Sequence, residues 1–448
     1  MCAKIQKKPQ ISQIITVFLL PLPMNMKKLL IIIYYLCLFT GLRAQTEPQE
    51  VGNYKVAFLE PVDSMSLSPD SLLSHDSFVL PWPENVIVRL DKLLDEPLLK
   101  KTQLGLMVYD LTADTIIFRY GERQTLRPAS VMKLVTAITA LDKLGGNYQF
   151  RTSLYYTGQL IGNVLNGDLY CVGGMDPRFN NDDMNAFVER VLGMGVDTIR
   201  GRIIGDYSMK DETRLGEGWC WDDDNPILSP LLISKKADFL SNFVDEMRNR
   251  DIVVAENFAE GTVPNGAYIV GSRYHAMDQI LTRMLKESDN LYAESMFYQI
   301  AASGGTKRAS AANARTHIKK LISKIGLNPD NYKIADGSGL SLYNYVSPEL
   351  MVCLLRYAYR NSEIYSSLYP CLPIAGEDGT LEKRMKGEYT KGNVRAKTGT
   401  LTGVSSLAGY CRTANNHLLA FCIINQGVMK NADGRNFQDA VCTALCQP

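Results

Sequence analysis

Apolar residues recur with two different spacings along this chain, and these spacings predict short strands and amphipathic helices from about residue 86 onward. Residues 104–121, LGLMVYDLTADTIIFRYG, contain two alternating runs around a turn at Thr112–Asp114, which predicts a β-hairpin. Pro128 and Ser130 then open a helical pattern that Gly145-Gly146 ends, so we predict a helix between them. Its apolar stripe consists of Val131, Leu134, Val135, Ile138 and Leu141.

The pattern changes twice more along the chain. Residues 150–275 contain short strands separated by glycine, asparagine and aspartate turns, as in YTGQLIGNVLNGDLYCVGG. Helical patterns follow, and one of them, MDQILTRMLKESDNLYAESMFYQIAA, contains the tripeptide Ser-Asp-Asn. Strands return in NVRAKTGT, VSSLAGYCRT and HLLAFCIINQ, and a last helix is predicted from about Asn436. Because strands and helices are segregated and short turns join the strands, we predict an α+β fold with an antiparallel sheet.

The first 44 residues predict export. A pair of lysines, an 11-residue apolar run from Leu29 to Phe39 and a small-residue end at Ala44 are typical of a signal peptide. The run is short for a membrane anchor, although the apolar stretch ITVFLLPLPM upstream keeps a spanning segment open as the alternative. We predict translation from Met24 or Met26, a periplasmic location with membrane association left open, and a poorly ordered lead-in over residues 45–85.

Composition and charge then exclude several classes of function. The 448 residues are 46% hydrophobic and 21% charged, which is ordinary globular composition. The leader carries six basic residues and no acid, so its removal changes the formal net charge from +1 to −5. A chain with a net negative charge lacks the excess of basic residues that binds nucleic acid, so we do not predict nucleic acid as a partner. Eight cysteines remain beyond the leader, without the spacing of a metal site, and we predict neither a metal nor another cofactor.

Three short motifs follow one another in an order that is more specific than any of them alone. The first is Ser130–Lys133, the second is Ser288-Asp289-Asn290, and the third is Lys397–Thr400, KTGT. Each has a bland alternative: a helix-capping serine with a solvated lysine, a polar patch on a helix, or an edge-strand lysine. None of the four histidines lies beside a serine in a known motif, so a Ser-His-Asp hydrolase is disfavoured.

These motifs contain the groups that a serine acyl transferase needs. A serine hydroxyl requires an adjacent base, and Lys133 lies one helical turn after Ser130, on the same face. Lysine can act as that base only if its pKa falls, which burial and a nearby cation would promote. In this hypothesis Ser288 relays a proton to the leaving group, and Asn290 holds the lysine amine and the substrate amide.

The third motif supplies substrate contacts. Lys397 offers a cation for a substrate carboxylate and would help to lower the pKa of Lys133, while Thr398 adds a hydroxyl. Gly399 would let a substrate backbone approach the strand edge. The backbone N–H groups of Ser130 and Thr400 would form an oxyanion hole.

The chain resembles the low-molecular-mass class C penicillin-binding proteins, the D-alanyl-D-alanine carboxypeptidase/endopeptidases. Beyond the three motifs, the resemblance rests on the segments PASVMKL, LYCVGGMDP, RLGEGWCWDD, SDNLYAE, DGSGLS and RAKTGTLTGVSSLAGY. It implies a penicillin-binding/β-lactamase-like fold, peptidoglycan stem peptides as substrates, an acyl-enzyme on Ser130 and β-lactams as covalent inhibitors. A β-lactamase or esterase on the same scaffold, and a non-catalytic cell-wall-binding relative, are the alternatives.

The chain departs from this family in one interval. Only 158 residues separate Ser130 from Ser288, where family members usually carry two inserted domains. We therefore predict a catalytic domain from residues 86–155 and 275–448, one inserted domain at 156–274, and no second, inner insertion. DGSGLS is predicted to be a structural turn near the cleft, and Trp219 and Trp221 to be packing residues. The oligomeric state stays open.

Overall fold

The computed structural model describes residues 80–220 and 225–448. The predicted signal peptide, residues 45–79 of the lead-in and Trp221 lie outside these residues. Within the described ranges, no helix combines the length and the apolar character needed to cross a membrane.

A five-stranded antiparallel sheet forms the centre of the fold. Its order is β12-β13-β14-β1-β2, so the two ends of the described chain meet in one sheet. The strands are β1 Gln103–Asp110, β2 Thr115–Tyr120, β12 Arg395–Leu401, β13 Val404–Arg412 and β14 Leu418–Gln426. The α+β class and the antiparallel sheet that the sequence predicts are confirmed.

Helices cover both faces of this sheet, which explains why its central strands are apolar along their whole length. Side chains of successive residues in a strand point to opposite faces. In β1, Leu106 and Val108 therefore pack in one core cluster, and Met107 and Tyr109 pack in the other. The helices of this part are α1 Glu84–Leu93, α2 Met132–Leu144, α5 Met277–Lys286, α6 Asn290–Ala302, α7 Ala311–Lys324, α8 Pro348–Arg360, α9 Ser362–Leu368 and α10 Asn431–Cys446.

The residues between α2 and α5 form two further sheets, which share a separate hydrophobic core. A five-stranded mixed sheet has the order β10-β8-β6-β3-β11, and a four-stranded sheet has the order β4-β5-β7-β9. Their helices are α3 Asn181–Gly193 and α4 Phe239–Asn249. The strands are β3 Gln149–Tyr156, β4 Gln159–Ile161, β5 Val164–Asn166, β6 Leu169–Val172, β7 Thr198–Ile199, β8 Ile203–Asp206, β9 Val253–Val254, β10 Phe258–Glu260 and β11 Tyr268–Ala276. The assignment of residues 156–274 to an inserted domain stays a prediction.

Two predicted helix bounds are wrong. The single helical pattern around the Ser-Asp-Asn tripeptide is interrupted, because Ser288 has a positive φ of 61° and Asp289 caps the helix that begins at Asn290. The last helix begins at Asn431 instead of about Asn436. An interrupted helix places the tripeptide at a helix end, where its backbone can face a cleft.

The eight cysteines beyond the leader are free thiols, and six of them are buried. Cys422 lies in β14, and Cys442 and Cys446 lie on α10, all within the cores. They behave as small apolar residues in the packing.

Candidate active site

Ser130 lies in a tight turn whose conformation is stabilised by contacts with residues from other parts of the chain. The turn Ala129–Val131 is a 3-10 helix that leads directly into α2. Ala129 has a positive φ of 50°, and the Ser406 hydroxyl donates a hydrogen bond of 2.6 Å to the Pro128 carbonyl. On the other side, a Cβ on Gly339 would lie only 1.9 Å from the Ala129 carbonyl oxygen. The turn is therefore fixed by neighbours that are distant in sequence.

Lys133 is wholly buried, and its amine contacts all the groups needed to act as a base. Its Nζ lies 3.0 Å from Ser130 Oγ and donates to Asn290 Oδ1 at 2.7 Å and to the Ser338 carbonyl at 2.8 Å. A neutral amine has two N–H groups and one lone pair. Because Asn290 Oδ1 and the Ser338 carbonyl are acceptors, they take the two N–H groups and leave the lone pair for the Ser130 proton.

Burial also favours the neutral amine. It lowers the pKa of Lys133 to about 8, although the carboxylates of Asp336, Glu294 and Asp289 oppose the shift. Lys397 is buried as well, and burial followed by the positive charge of Lys133 holds the pKa of Lys397 well below its ordinary value. Of the two causes that the sequence suggested, burial and a nearby cation, burial is thus the main cause of the low pKa of Lys133.

The third motif forms the edge strand β12, beside the serine turn. A Cβ on Gly399 would lie 2.1 Å from Ser406 Oγ and 3.0 Å from the backbone nitrogen of Ser130. Only glycine therefore allows Ser130 N to approach the strand, which is the neighbourhood that a two-donor oxyanion hole requires. Thr400 is exposed at the same edge, one residue beyond Gly399.

The side chains of Lys397 and Thr398 are held near their own strand. The Lys397 amine donates to the Thr398 carbonyl at 2.9 Å, and the Thr398 hydroxyl donates to Thr380 Oγ1 at 2.8 Å. Thr380 belongs to the short helix Gly379–Leu381 and was not predicted from the sequence. The threonine pair places two hydroxyls beside the middle of β12.

The three residues of the second motif make different contacts. Asn290 touches Lys133, whereas the hydroxyl of Ser288 makes no hydrogen bond within the described part of the chain and is half-buried. Asp289 turns away and accepts bonds from the backbone of α6. Hydrogen bonds thus connect Lys133 to both Ser130 and Asn290. Ser288 is linked to these residues only by its position in the chain, two residues before Asn290.

The sequence reasoning missed Ser338, which contacts this cluster directly, and Glu294 and Asp336, which hold the turn that contains Ser338. Ser338 of DGSGLS provides the carbonyl that binds Lys133, although we expected a purely structural turn. Glu294 accepts bonds from Gly337 N at 3.1 Å and Ser338 N at 2.7 Å. Asp336 accepts bonds from Gly339 N at 2.8 Å and Ser341 N at 2.7 Å, and a 2.8 Å bond from Trp219 Nε1.

A sequence signal for Glu294 does exist. The residue lies in α6, a mostly apolar helix in which every residue except the first and the last is buried. A carboxyl in such a helix must find partners inside the protein. Its burial raises its pKa to about 8, and the nearby Asp336 adds to the shift. Glu294 is therefore a buried acid, and its hydrogen bonds with Gly337 N and Ser338 N orient the Ser338 carbonyl toward Lys133.

Replacing Glu294 tests this arrangement. Glu294→Ala leaves two buried N–H groups without an acceptor, so we expect a loss of about 3 kcal/mol in the free energy of unfolding. Acylation at Ser130 should also slow at least about tenfold, because the Ser338 carbonyl is no longer held. Glu294→Gln keeps an acceptor oxygen and should retain most of both. Urea unfolding and a penicillin-binding assay measure the two effects; equal behaviour of the two variants would contradict this role.

Comparison with known proteins places the chain in a family. The profile of the D-Ala-D-Ala carboxypeptidase 3 (S13) family matches residues 86–231 and 228–447. The chain is 27% identical to a D-alanyl-D-alanine carboxypeptidase of Actinomadura sp. (strain R39), over 80% of this chain and 84% of that protein. It is 25% identical to the D-alanyl-D-alanine carboxypeptidase DacB of Haemophilus influenzae, over 81% of this chain and 93% of that protein.

Solved structures show the same fold. The crystal structure of penicillin binding protein 4 (dacB) from Haemophilus influenzae superposes with a TM-score of 0.73 at 22% identity, over 81% of this chain and 100% of that one. The resemblance inferred from the motifs is confirmed, because the profile covers nearly the whole described chain. This protein belongs to the D-Ala-D-Ala carboxypeptidase 3 (S13) family and is a serine-type carboxypeptidase.

Proposed function

We propose that Ser130 is the nucleophile of a D-alanyl-D-alanine carboxypeptidase/endopeptidase and that Lys133 is its base. The observation that carries this proposal is the amine 3.0 Å from Ser130 Oγ, whose two N–H groups already have acceptors. As Ser130 Oγ attacks the peptide carbonyl, its proton moves to Lys133 Nζ. The carbonyl oxygen takes up the negative charge between Ser130 N and Thr400 N.

The remaining steps return the enzyme to its starting state. When the tetrahedral intermediate collapses, the C–N bond breaks and the leaving D-alanine nitrogen takes a proton, with Ser288 as the relay from Lys133. Water then attacks the ester carbonyl and gives one proton to Lys133. As the bond from the acyl carbon to Ser130 Oγ breaks, that proton returns to Ser130 Oγ, and the shortened peptide releases the second water proton to solvent and leaves as a carboxylate. Bonds and protons balance over the cycle.

Lys397, Thr398 and Thr400 are proposed to bind the free carboxylate of the substrate. An anion next to a buried amine raises the pKa of that amine, because opposite charges stabilise each other where water is excluded. The peptide carboxylate would therefore raise the pKa of the Lys397 amine, which burial and the charge of Lys133 hold low in the free enzyme. The hydroxyls of Thr398 and Thr400, both in the edge strand β12, would supply further hydrogen bonds.

Peptidoglycan stem peptides are the proposed substrates, and β-lactams are the proposed covalent inhibitors. The penicillin binding protein 4 of Haemophilus influenzae has been crystallised in complex with a β-lactam. A predatory endopeptidase of Bdellovibrio bacteriovorus, with a TM-score of 0.50, was solved in a penicillin G acylated form. We extend this chemistry to the present chain because its serine turn and β12 leave an open edge for an extended peptide.

A fluorescent penicillin separates this function from its alternatives. Purified protein should become covalently labelled, with a label that survives for many minutes because deacylation is slow. Rapid release of the label as a hydrolysed product would instead indicate a β-lactamase, and absence of labelling would indicate a non-catalytic relative. Mass spectrometry of purified muropeptides after digestion then shows whether terminal D-alanine or a cross-link is cleaved.

Export to the periplasm, through a signal peptide ending near Ala44, is a further part of this proposal. Its support is the lysine pair, apolar run and small-residue end of the leader, together with an extracytoplasmic substrate. The N-terminal sequence of the protein isolated from cell envelopes tests it. A mature chain that starts within about five residues of Ala44 is expected, and one that still begins at Met24 or Met26 would contradict cleavage.

A further inference from the structure

A strained turn from the segment predicted as the inserted domain reaches the second catalytic motif. Residues 233–236 form this turn, in which Ile233 N donates to the Lys236 carbonyl at 2.9 Å and Lys236 N donates to the Ile233 carbonyl at 2.8 Å. Its two central residues, Ser234 and Lys235, have positive φ values of 46° and 70°. Hairpin turns of this type favour Asn-Gly at these positions, since other side chains are strained there. Two residues with ordinary Cβ atoms therefore need a compensating reason.

The side chain of Lys235 forms an ion pair with a residue of the second motif. The ammonium of Lys235 donates a hydrogen bond to Oδ2 of Asp289, the central residue of the Ser-Asp-Asn motif. The side chain of Asp289 is only 10% exposed, and its Oδ2 also accepts a bond of 3.1 Å from Arg283 Nε. Burial alone would raise the pKa of Asp289, but the hydrogen bonds from Lys235 and Arg283 lower it. The carboxylate is thus held in place by cations from two different segments.

Asp289 is connected to both of its functional neighbours. Its Oδ1 accepts bonds from Leu291 N at 3.1 Å and Tyr292 N at 3.4 Å, which caps α6. On one side Ser288 has a positive φ of 61°, and on the other Asn290 binds the Lys133 amine. A shift of the Asp289 carboxylate would therefore move the proposed proton relay and the lysine contact together.

We propose that Lys235 is a positioning residue for catalysis: it holds Asp289, and through Asp289 it fixes Ser288 and Asn290 in the geometry for acylation. The inference rests on the function proposed above and assigns a task to the segment between residues 156 and 274. It explains why a lysine occupies a left-handed position that glycine would occupy without strain. It also implies that Lys235 does not need to touch the substrate.

The variant Lys235→Gly separates a positioning role from a structural one. Glycine relieves the strain at φ 70°, so the melting temperature should stay unchanged or rise. The rate of acylation by a fluorescent penicillin should nevertheless fall about fivefold, because Arg283 is then the only cation that still holds the Asp289 carboxylate. Lys236→Ala is the matched control, since this neighbouring lysine makes no ion pair within the described residues, and it should acylate like the wild type.

A double-mutant cycle shows whether Lys235 acts through Asp289. Asp289→Asn keeps the helix cap but removes the charge, so it should slow acylation by itself. In that background Lys235→Gly should add no further loss. If Lys235→Gly slowed acylation equally in the wild type and in Asp289→Asn, the proposal would be overturned, because Lys235 would then act independently of Asp289. Wild-type acylation of Lys235→Gly would overturn it too, whereas labelling of a variant without Ser130 would instead overturn the proposed function.

Discussion

Replacing Ser130 by alanine is expected to abolish covalent labelling by penicillin completely. The hydroxyl oxygen is the atom that forms the ester, and no other serine hydroxyl is hydrogen-bonded to the Lys133 amine within the described residues. Alanine removes one oxygen from a half-buried position, so the melting temperature should change little. Intact-protein mass spectrometry after incubation with penicillin should show the adduct in the wild type and none in Ser130→Ala.

The matched control for this experiment is Ser366→Ala. Ser366 is an exposed helical serine whose hydroxyl bonds only to the Glu363 carbonyl, and its loss should leave the adduct unchanged. An adduct of full intensity in Ser130→Ala would show that another residue is the nucleophile. The proposed reaction would then have to be abandoned, although the family assignment and the fold would stand.

Replacing Lys133 by methionine is expected to have the second largest effect. Methionine has a similar length and fits a buried position, but it has no lone pair for the Ser130 proton. Acylation should slow by about 1,000-fold or more, in line with the loss of a positioned general base. Stopped-flow quenching of a fluorescent penicillin measures this rate in single-turnover conditions.

The stability of Lys133→Met is informative in its own right. Burying an amine is costly, and methionine removes that cost, but Asn290 Oδ1 and the Ser338 carbonyl lose their donor. These effects oppose each other, so the free energy of unfolding should change by less than about 2 kcal/mol. Lys143→Met, an exposed position at the end of the same helix, is the control and should acylate normally. An acylation rate for Lys133→Met within tenfold of the wild type would contradict the base assignment.

The sequence predicted those features that repeat locally or belong to a known motif order. The α+β class followed from the segregation of strands and helices, and the sheet from alternating runs such as β1. Ser130, Lys133 and Asn290 were predicted because their order along the chain is specific, and the structure bonds them directly. Gly399 was predicted for substrate access, and the structure adds a second reason in the approach of Ser130 N.

Other features depend on tertiary contacts that no local pattern records. The carbonyl of Ser338 reaches Lys133 across 205 positions in the sequence, and a backbone group has no residue type that could reveal it. Ser288 interrupts a helical pattern because the cap at Asp289 outweighs the apolar periodicity around it. Lys235 belongs to no motif, and its proposed role depends on the strained turn and on the contact with the distant Asp289 together.

The pH dependence of acylation tests the central claim most directly, namely that burial keeps the Lys133 amine available as a base. With a pKa of about 8, the amine is mostly protonated at lower pH and mostly neutral above it. The second-order rate constant for acylation by penicillin should therefore rise about tenfold per pH unit from roughly pH 6, bend near pH 8 and then level off. A rate constant that stays flat or falls across roughly pH 6 to pH 9 would contradict the account.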